Sequence, residues 1–323
     1  MKKRVLSILL VALMVMGLCT AAFAADGDTY IDKQGAKFTV KYTATNGTAP
    51  TETFTFTDFT CTSVTDAAEG VTTANAPIPT KIADVELASG ASKEVEIALP
   101  TYTSVGVYTY TFNQAVGTTA GVTYYNDDAV QTMKLVVSVL QDTDGYIRVA
   151  AVHVENGSTD DDKTEEIENT YDSGELTVDK VVTGNMGDKT KEFEVTVTFT
   201  PASGETIKSD IAYTGAVSGT VANNTVTFNL KHGQNVKFTN IPEGVTWKVE
   251  EADYTSDGYD AADYSTQTAS MTAGGEATCT ITNNKDTTVD TGITMDTIPY
   301  IMIALFACLA AAVVVIRKRR IAE

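Results

Sequence analysis

Cysteine, histidine, tryptophan and positive charge are all scarce in this chain, and each scarcity closes off a class of function. Of its 323 residues, four are Cys, two are His and one is Trp. Cys19 and Cys308 lie in apolar runs near the two ends, so only Cys61 and Cys279 remain in the body, far apart. That is too few for a disulfide framework, and no zinc-ligand spacing is present. His153 and His232 read as surface residues, one on a strand and one beside a turn glycine, and no metal or cofactor is expected. Neither a phosphate-binding loop nor a nucleophile elbow occurs, which leaves no catalytic cluster for a hydrolase. Lys and Arg number 23 against 42 Asp and Glu, a net charge of −19. Such a surface repels nucleic acid and anionic lipid, so nucleic-acid binding is set aside. The body also lacks any sustained apolar period of 3.6 residues, which excludes a helical domain.

What is present begins at the ends. Lys2, Lys3 and Arg4 precede an apolar run over residues 5–18, and Ala22-Phe23-Ala24 supplies small residues before Ala25. This is the pattern of a secretory signal peptide over residues 1–24, cut between Ala24 and Ala25. A lipoprotein reading through Cys19 is the rival, but Leu18 stands where a small residue is wanted. At the other end, residues 298–316 carry no charge, and Arg317-Lys318-Arg319-Arg320 follow directly. At 1.5 Å per residue the run reaches roughly 28 Å, close to a hydrocarbon core. A basic cluster at its edge holds residues 317–323 in the cytoplasm, so everything before the span lies outside.

Between the ends, Thr, Val and aromatic residues alternate in Thr53-Phe54-Thr55-Phe56-Thr57, Tyr108-Thr109-Tyr110-Thr111-Phe112 and Phe193-Glu194-Val195-Thr196-Val197. Period-two patterning broken by Asn46-Gly47 and Asp144-Gly145 predicts strands and hairpins. Asp142 and Asp144 read as part of that turn, because the twelve-residue calcium loop is absent. The fold class is all-β: two tandem immunoglobulin-like β-sandwiches over residues 26–172 and 173–285, with a linker over 286–297. The boundary rests on the short Asp172-Ser173-Gly174 stretch and on a loose internal repeat. Each half opens on an apolar strand carrying a lysine and closes on a strand carrying an asparagine. The pairs are Lys41 with Asn169, and Lys180 with Asn283. If first and last strands lie side by side, each amine meets an amide across nearly a whole domain.

The first half resembles the streptococcal-type pilin isopeptide-linkage domain. The resemblance rests on Gly106-Val107-Tyr108-Thr109-Tyr110-Thr111-Phe112, Gly121-Val122-Thr123-Tyr124, Asp144-Gly145 and Asn169-Thr170-Tyr171. The second is similar to a collagen-adhesin B-type domain through Leu176-Thr177-Val178-Asp179-Lys180, Lys191-Glu192-Phe193, Leu230-Lys231-His232-Gly233 and Ile241-Pro242-Glu243-Gly244. What these resemblances imply is a spontaneous Lys–Asn isopeptide bond in each domain. Burial disfavours the charged amine and leaves it nucleophilic, while a neighbouring acid polarises the amide and relays protons. In the second domain the matching acid is Glu251. In the first, the family's Glu position holds Gln114, an amide that can donate a hydrogen bond but cannot relay a proton. Either another acid serves there, or the bond forms slowly, or it does not form.

Thr288-Val289-Asp290-Thr291-Gly292 before the span resembles a sortase sorting signal, cut between Thr291 and Gly292. Thr288-Val289 replaces the usual Leu-Pro, so a plain membrane anchor is the alternative. The expected function is a structural cell-surface protein, a pilin subunit or wall-anchored stalk, and not an enzyme. Its partners would be sortase, the cell wall or other pilin subunits, with the membrane reached through the C-terminal helix. The alternative is an adhesin that grips a host matrix protein or glycan.

Overall fold

The computed structural model describes residues 32–125, 132–156, 166–288 and 298–321. The expected signal cleavage at Ala24 and Ala25, and the Thr291-Gly292 sorting site, lie outside the described residues. The chain divides into two compact units. One comprises the chain up to Thr43 with Thr51–Gly117 and Thr123–Asn169; the other comprises Ala44–Pro50, Thr118–Val122 and the chain from Thr170.

In the first half the alternating segments become β1 (Gly35–Ala44), β2 (Glu52–Phe54), β3 (Thr60–Thr65), β4 (Val85–Leu87) and β5 (Ser92–Ala98). They continue as β6 (Gly106–Phe112), β7 (Val122–Thr123), β8 (Met133–Gln141), β9 (Ile147–Asn156) and β10 (Glu166–Tyr171). One sheet runs in the order β5-β1-β10-β7 and another in the order β3-β6-β8-β9; β2 and β4 form a separate pair. Every second residue of β1 and β6 is buried, so each strand gives one face to the core. The two sheets meet through rings: Phe38 of β1 lies 6.2 Å from Phe112 of β6 and 5.8 Å from Phe56. Rings in such offset and edge-to-face contacts add about 0.5–1.5 kcal/mol per pair beyond their buried area. Asp144-Gly145 forms the β8–β9 hairpin turn. Gly145 adopts φ 87°, and Asp142 Oδ1 accepts from the N–H groups of Asp144 and Tyr146.

The second half follows as β11 (Ser173–Thr183), β12 (Phe193–Thr200), β13 (Ala212–Gly215), β14 (Gly219–Thr220) and β15 (Thr225–Leu230). Then come β16 (Asn235–Pro242), β17 (Thr246–Glu251), β18 (Asp263–Tyr264), β19 (Thr268–Ser270) and β20 (Glu276–Asn284). The sheet orders are β14-β13-β16-β11-β20-β18 and β15-β12-β17-β19. Between them a core of Leu176, Val178, Val197, Phe238, Trp247 and Ile281 is almost fully buried. The lone tryptophan is therefore a packing residue, 1% exposed. β11 starts at Ser173, because Ser173 and Gly174 pair with Pro242 and Ile241 of β16. Between β10 and β11 only Asp172 lies outside a strand. Gly174 is required at this bulge, since a Cβ there would sit 2.6 Å from the Gly275 carbonyl oxygen.

The decisive feature for the site is that β11 and β20, the first and last strands of the second half, are neighbours and run parallel. Lys180 stands level with Ile281, and Val182 level with Asn283. Separately, α1 (Ile298–Ile321) contains a 19-residue stretch, Pro299–Arg317, long and apolar enough to cross a membrane. Pro299 suits the first turn of a helix, where its missing N–H leaves no bond unmade.

Candidate isopeptide site

Alternation along β11 turns Leu176, Val178, Lys180 and Val182 inward, and alternation along β20 does the same for Cys279, Ile281 and Asn283. A lysine and an asparagine therefore occupy core positions, 1% exposed each. Lys180 Nζ donates to Asn283 Oδ1 and lies 3.4 Å from the carbonyl oxygens of Val181 and Ile281. β17 supplies the third group. Its pairing with β12 sets Glu251 opposite Val195, and the Tyr264 hydroxyl accepts the Glu251 N–H at 2.8 Å. From there Glu251 Oε2 reaches 3.1 Å from Lys180 Nζ, with both side chains fully buried. Neither carboxyl oxygen has another hydrogen-bond partner among the described residues. The Phe193 ring covers the amine, its centroid 4.3 Å from Nζ, and packs with Val182, Tyr254 and Tyr259 to exclude water. Burial pushes the Lys180 amine below the ordinary lysine value, against the opposing pull of Glu251. A dry pocket thus holds a weakened base, an amide carbon and a carboxyl group: a nucleophile, an electrophile and a proton relay.

The first half arranges its residues differently. Asn169 is fully buried on β10, and Gln114, 2% exposed, faces it. The two amides bond reciprocally. Gln114 Nε2 donates to Asn169 Oδ1 at 2.6 Å, and Asn169 Nδ2 donates to Gln114 Oε1 at 3.2 Å. The Tyr125 N–H adds a bond to Asn169 Oδ1 at 2.9 Å. The Lys41 amine does not join them, which corrects the expected Lys41–Asn169 pair; only its main-chain carbonyl oxygen accepts from Asn169 Nδ2, at 3.5 Å. On β1 the inward residues are Phe38, Val40 and Tyr42, so Lys41 points to the outer face, 36% exposed. There its amine lies 3.1 Å from Glu168 and 3.5 Å from Glu166. The hydrogen bond to Glu168 is the main reason the Lys41 pKa is raised, the reverse of a buried nucleophile.

Sequence reasoning missed two contributors: Phe193 and Tyr264. Phe193 stood within the Lys191-Glu192-Phe193 motif without a role. Tyr264 gave no signal beyond its β-propensity. The two histidines prove to be partnered. His232 Nδ1 accepts the Val182 N–H, and His153 Nε2 lies 2.6 Å from Glu155.

Fold and site together define a tandem β-sandwich protein whose second unit carries a buried amine–amide–acid site between its terminal strands. A family model described as a domain of unknown function (DUF7601) matches residues 174–285. A pilin of Streptococcus pyogenes serotype M1 is 28% identical over 332 residues, spanning 91% of this chain and 95% of that protein. The pilus tip adhesin Cpa of the same species is 31% identical over 126 residues, which is 38% of this chain and 18% of that one. The crystal structure of the major pilin from S. pyogenes shares the fold with a TM-score of 0.53 and 20% identity, covering 80% of this chain and 100% of that one. The S. pyogenes major pilin protein T3.2 does so with 0.52 and 21%, covering 79% and 99%. In sequence the chain is similar to streptococcal pilins, and it shares their fold.

Proposed function

We propose that this chain is a structural subunit of a surface pilus, stiffened in its second unit by a covalent bond between Lys180 and Asn283. The observation that carries the reading is the buried contact of Lys180 with both Asn283 and Glu251 across β11 and β20. The neutral Nζ attacks Cγ of Asn283, the new N–C bond forms, and the Cγ–Nδ2 bond breaks. Glu251 carries a proton from Nζ to the departing nitrogen, which leaves as ammonia. Oxidation states do not change and no cofactor enters, so the event is a single self-modification and not enzymatic turnover. Once formed, the bond lets tension entering β11 cross to β20 without loading the strands between them.

The C-terminal helix holds the chain at the surface, and Thr291-Gly292 is the proposed point of sortase transfer to the wall or to another subunit. The mass of the purified chain tests the reading. It should fall one ammonia short of the mass expected from the sequence, and both Lys180→Ala and Glu251→Gln should abolish the deficit. A full-mass wild type would sink the bond. The match to a tip adhesin favours a second role in host binding; polymeric ladders in wall extracts support the subunit reading, and a monomer that adheres to matrix protein supports the second.

A further inference from the structure

We infer that the first unit is a disarmed copy of the second, with Tyr42 in the place of the reactive lysine and Gln114 in the place of the acid, so that it is closed by hydrogen bonds alone. The inference rests on the reading of Lys180, Asn283 and Glu251 as a reactive set.

Contacts on the outer face fix how β1 lies on its neighbour β10. Thr43 Oγ1 donates to Glu168 at 2.9 Å, and Lys41 Nζ reaches Glu166 and Glu168. Outward residues 41 and 43 therefore run alongside 166 and 168. Tyr42 lies between them on the inner face, next to the strand that carries Asn169, whose Nδ2 donates to the Lys41 carbonyl oxygen at 3.5 Å. In the second unit Lys180 is level with Ile281 and two residues short of Asn283. The correspondence of Tyr42 with Lys180 rests on the sequences. Phe38-Thr39-Val40 laid over Leu176-Thr177-Val178 puts Tyr42 on Lys180, and Lys41 on Asp179.

Tyr42 is fully buried, its ring 5.3 Å from Phe54 in an edge-to-face contact. A phenol ring fills the space of the lysine stem but brings no amine. Gln114 meets the asparagine amide, yet a neutral amide can donate a hydrogen bond without taking up or releasing a proton. Asn169 is left with neither nucleophile nor relay, and the amide pair satisfies both side chains where a bond could have formed. Among the described residues Lys180 is the one buried lysine, and none of them places an amine on Asn169. The consequence is mechanical. Under load the first unit can unravel from β1 to β10 and refold, releasing on the order of 400 Å of extended chain. The second unit retains the 103-residue span between Lys180 and Asn283 as a closed loop.

The test uses the whole chain with both units. The wild type should lose one ammonia, all of it dependent on Lys180, and proteolytic mapping should find no branched peptide containing Asn169. An ammonia deficit that survives Lys180→Ala, or that changes with Lys41→Ala, overturns the inference. A wild type with no deficit refutes the bond in the second unit instead, and the two failures are thereby separate. The double variant Tyr42→Lys, Gln114→Glu should lose a second ammonia and yield a branched peptide joining positions 42 and 169. A folded double variant without that loss also overturns the inference. Should the double variant fail to fold, pulling on the wild type decides: one large extension step per chain is expected, and no step at all refutes the claim.

Discussion

Replacing Glu251 with Gln keeps the shape of the side chain and removes its proton relay, so the amine and amide stay together unbonded. The proposed bond closes a loop between Lys180 and Asn283, 103 positions apart. For a cross-link around a loop of that length, the chain-entropy relation gives about 4.7 kcal/mol of lost unfolded-state freedom. At about 4 °C per kcal/mol for a domain near this size, Glu251→Gln should lower the melting temperature of the second unit by roughly 20 °C. Melting alone does not discriminate, because breaking a buried ion pair by removing one partner costs about 3–5 kcal/mol as well. Two further readouts separate the cases. Mass spectrometry should show the ammonia retained in Glu251→Gln and missing in the wild type. Urea titration should give the variant the steeper slope, since an open chain exposes more surface on unfolding than a looped one. Equal masses together with equal slopes would refute the reasoning even if the melting temperature dropped.

Other outcomes follow from the same pocket. In Asn283→Ala the Lys180 amine stays free and faces Glu251; burial holds its pKa down in the fold, so the unfolded chain binds the extra proton. Stability of that variant should therefore rise with pH up to the ordinary lysine value of about 10.4, while the bonded wild type shows no such rise; urea midpoints from neutral to alkaline pH check this. Phe193→Ala removes the ring that covers the amine, which should cost about 3–5 kcal/mol and leave a fraction of molecules at full mass, read by denaturation and mass spectrometry. Cys279 is fully buried and its thiol is pushed up to about 11, so a thiol-alkylating reagent near neutral pH should spare it in the folded chain and label it after denaturation.

Much of this architecture was legible because period-two patterning is a local signal. Phe193-Glu194-Val195-Thr196-Val197 reads as a half-buried strand and is one, and Asp144-Gly145 reads as a hairpin turn and is one. The meeting of Lys180 with Asn283 needed one further step, the adjacency of first and last strands, which a sandwich supplies. Lys41 shows where the method breaks. In a strand a shift of a single residue turns a side chain from core to solvent, so a lysine one place early is on the wrong face altogether. Laying Phe38-Thr39-Val40 over Leu176-Thr177-Val178 would have found Tyr42. Glu166 and Glu168 also flag Lys41 as the outer partner of two carboxylates. Tyr264 and Phe193 could not be found this way, because their roles arise from loops and strands that meet only in three dimensions.

The parallel placement of β11 beside β20 also sets an order of events. Lys180 lies close to the beginning of its half of the chain and Asn283 near the end of it, so a partly made or partly exported polypeptide holds one reactant without the other. For an exported chain, the proposed bond could not close while the unit is still being threaded through a membrane pore, where a closed loop would jam. On the proposed bond, the two groups can meet only when the last strand has emerged, so completion of transport would be the trigger for hardening.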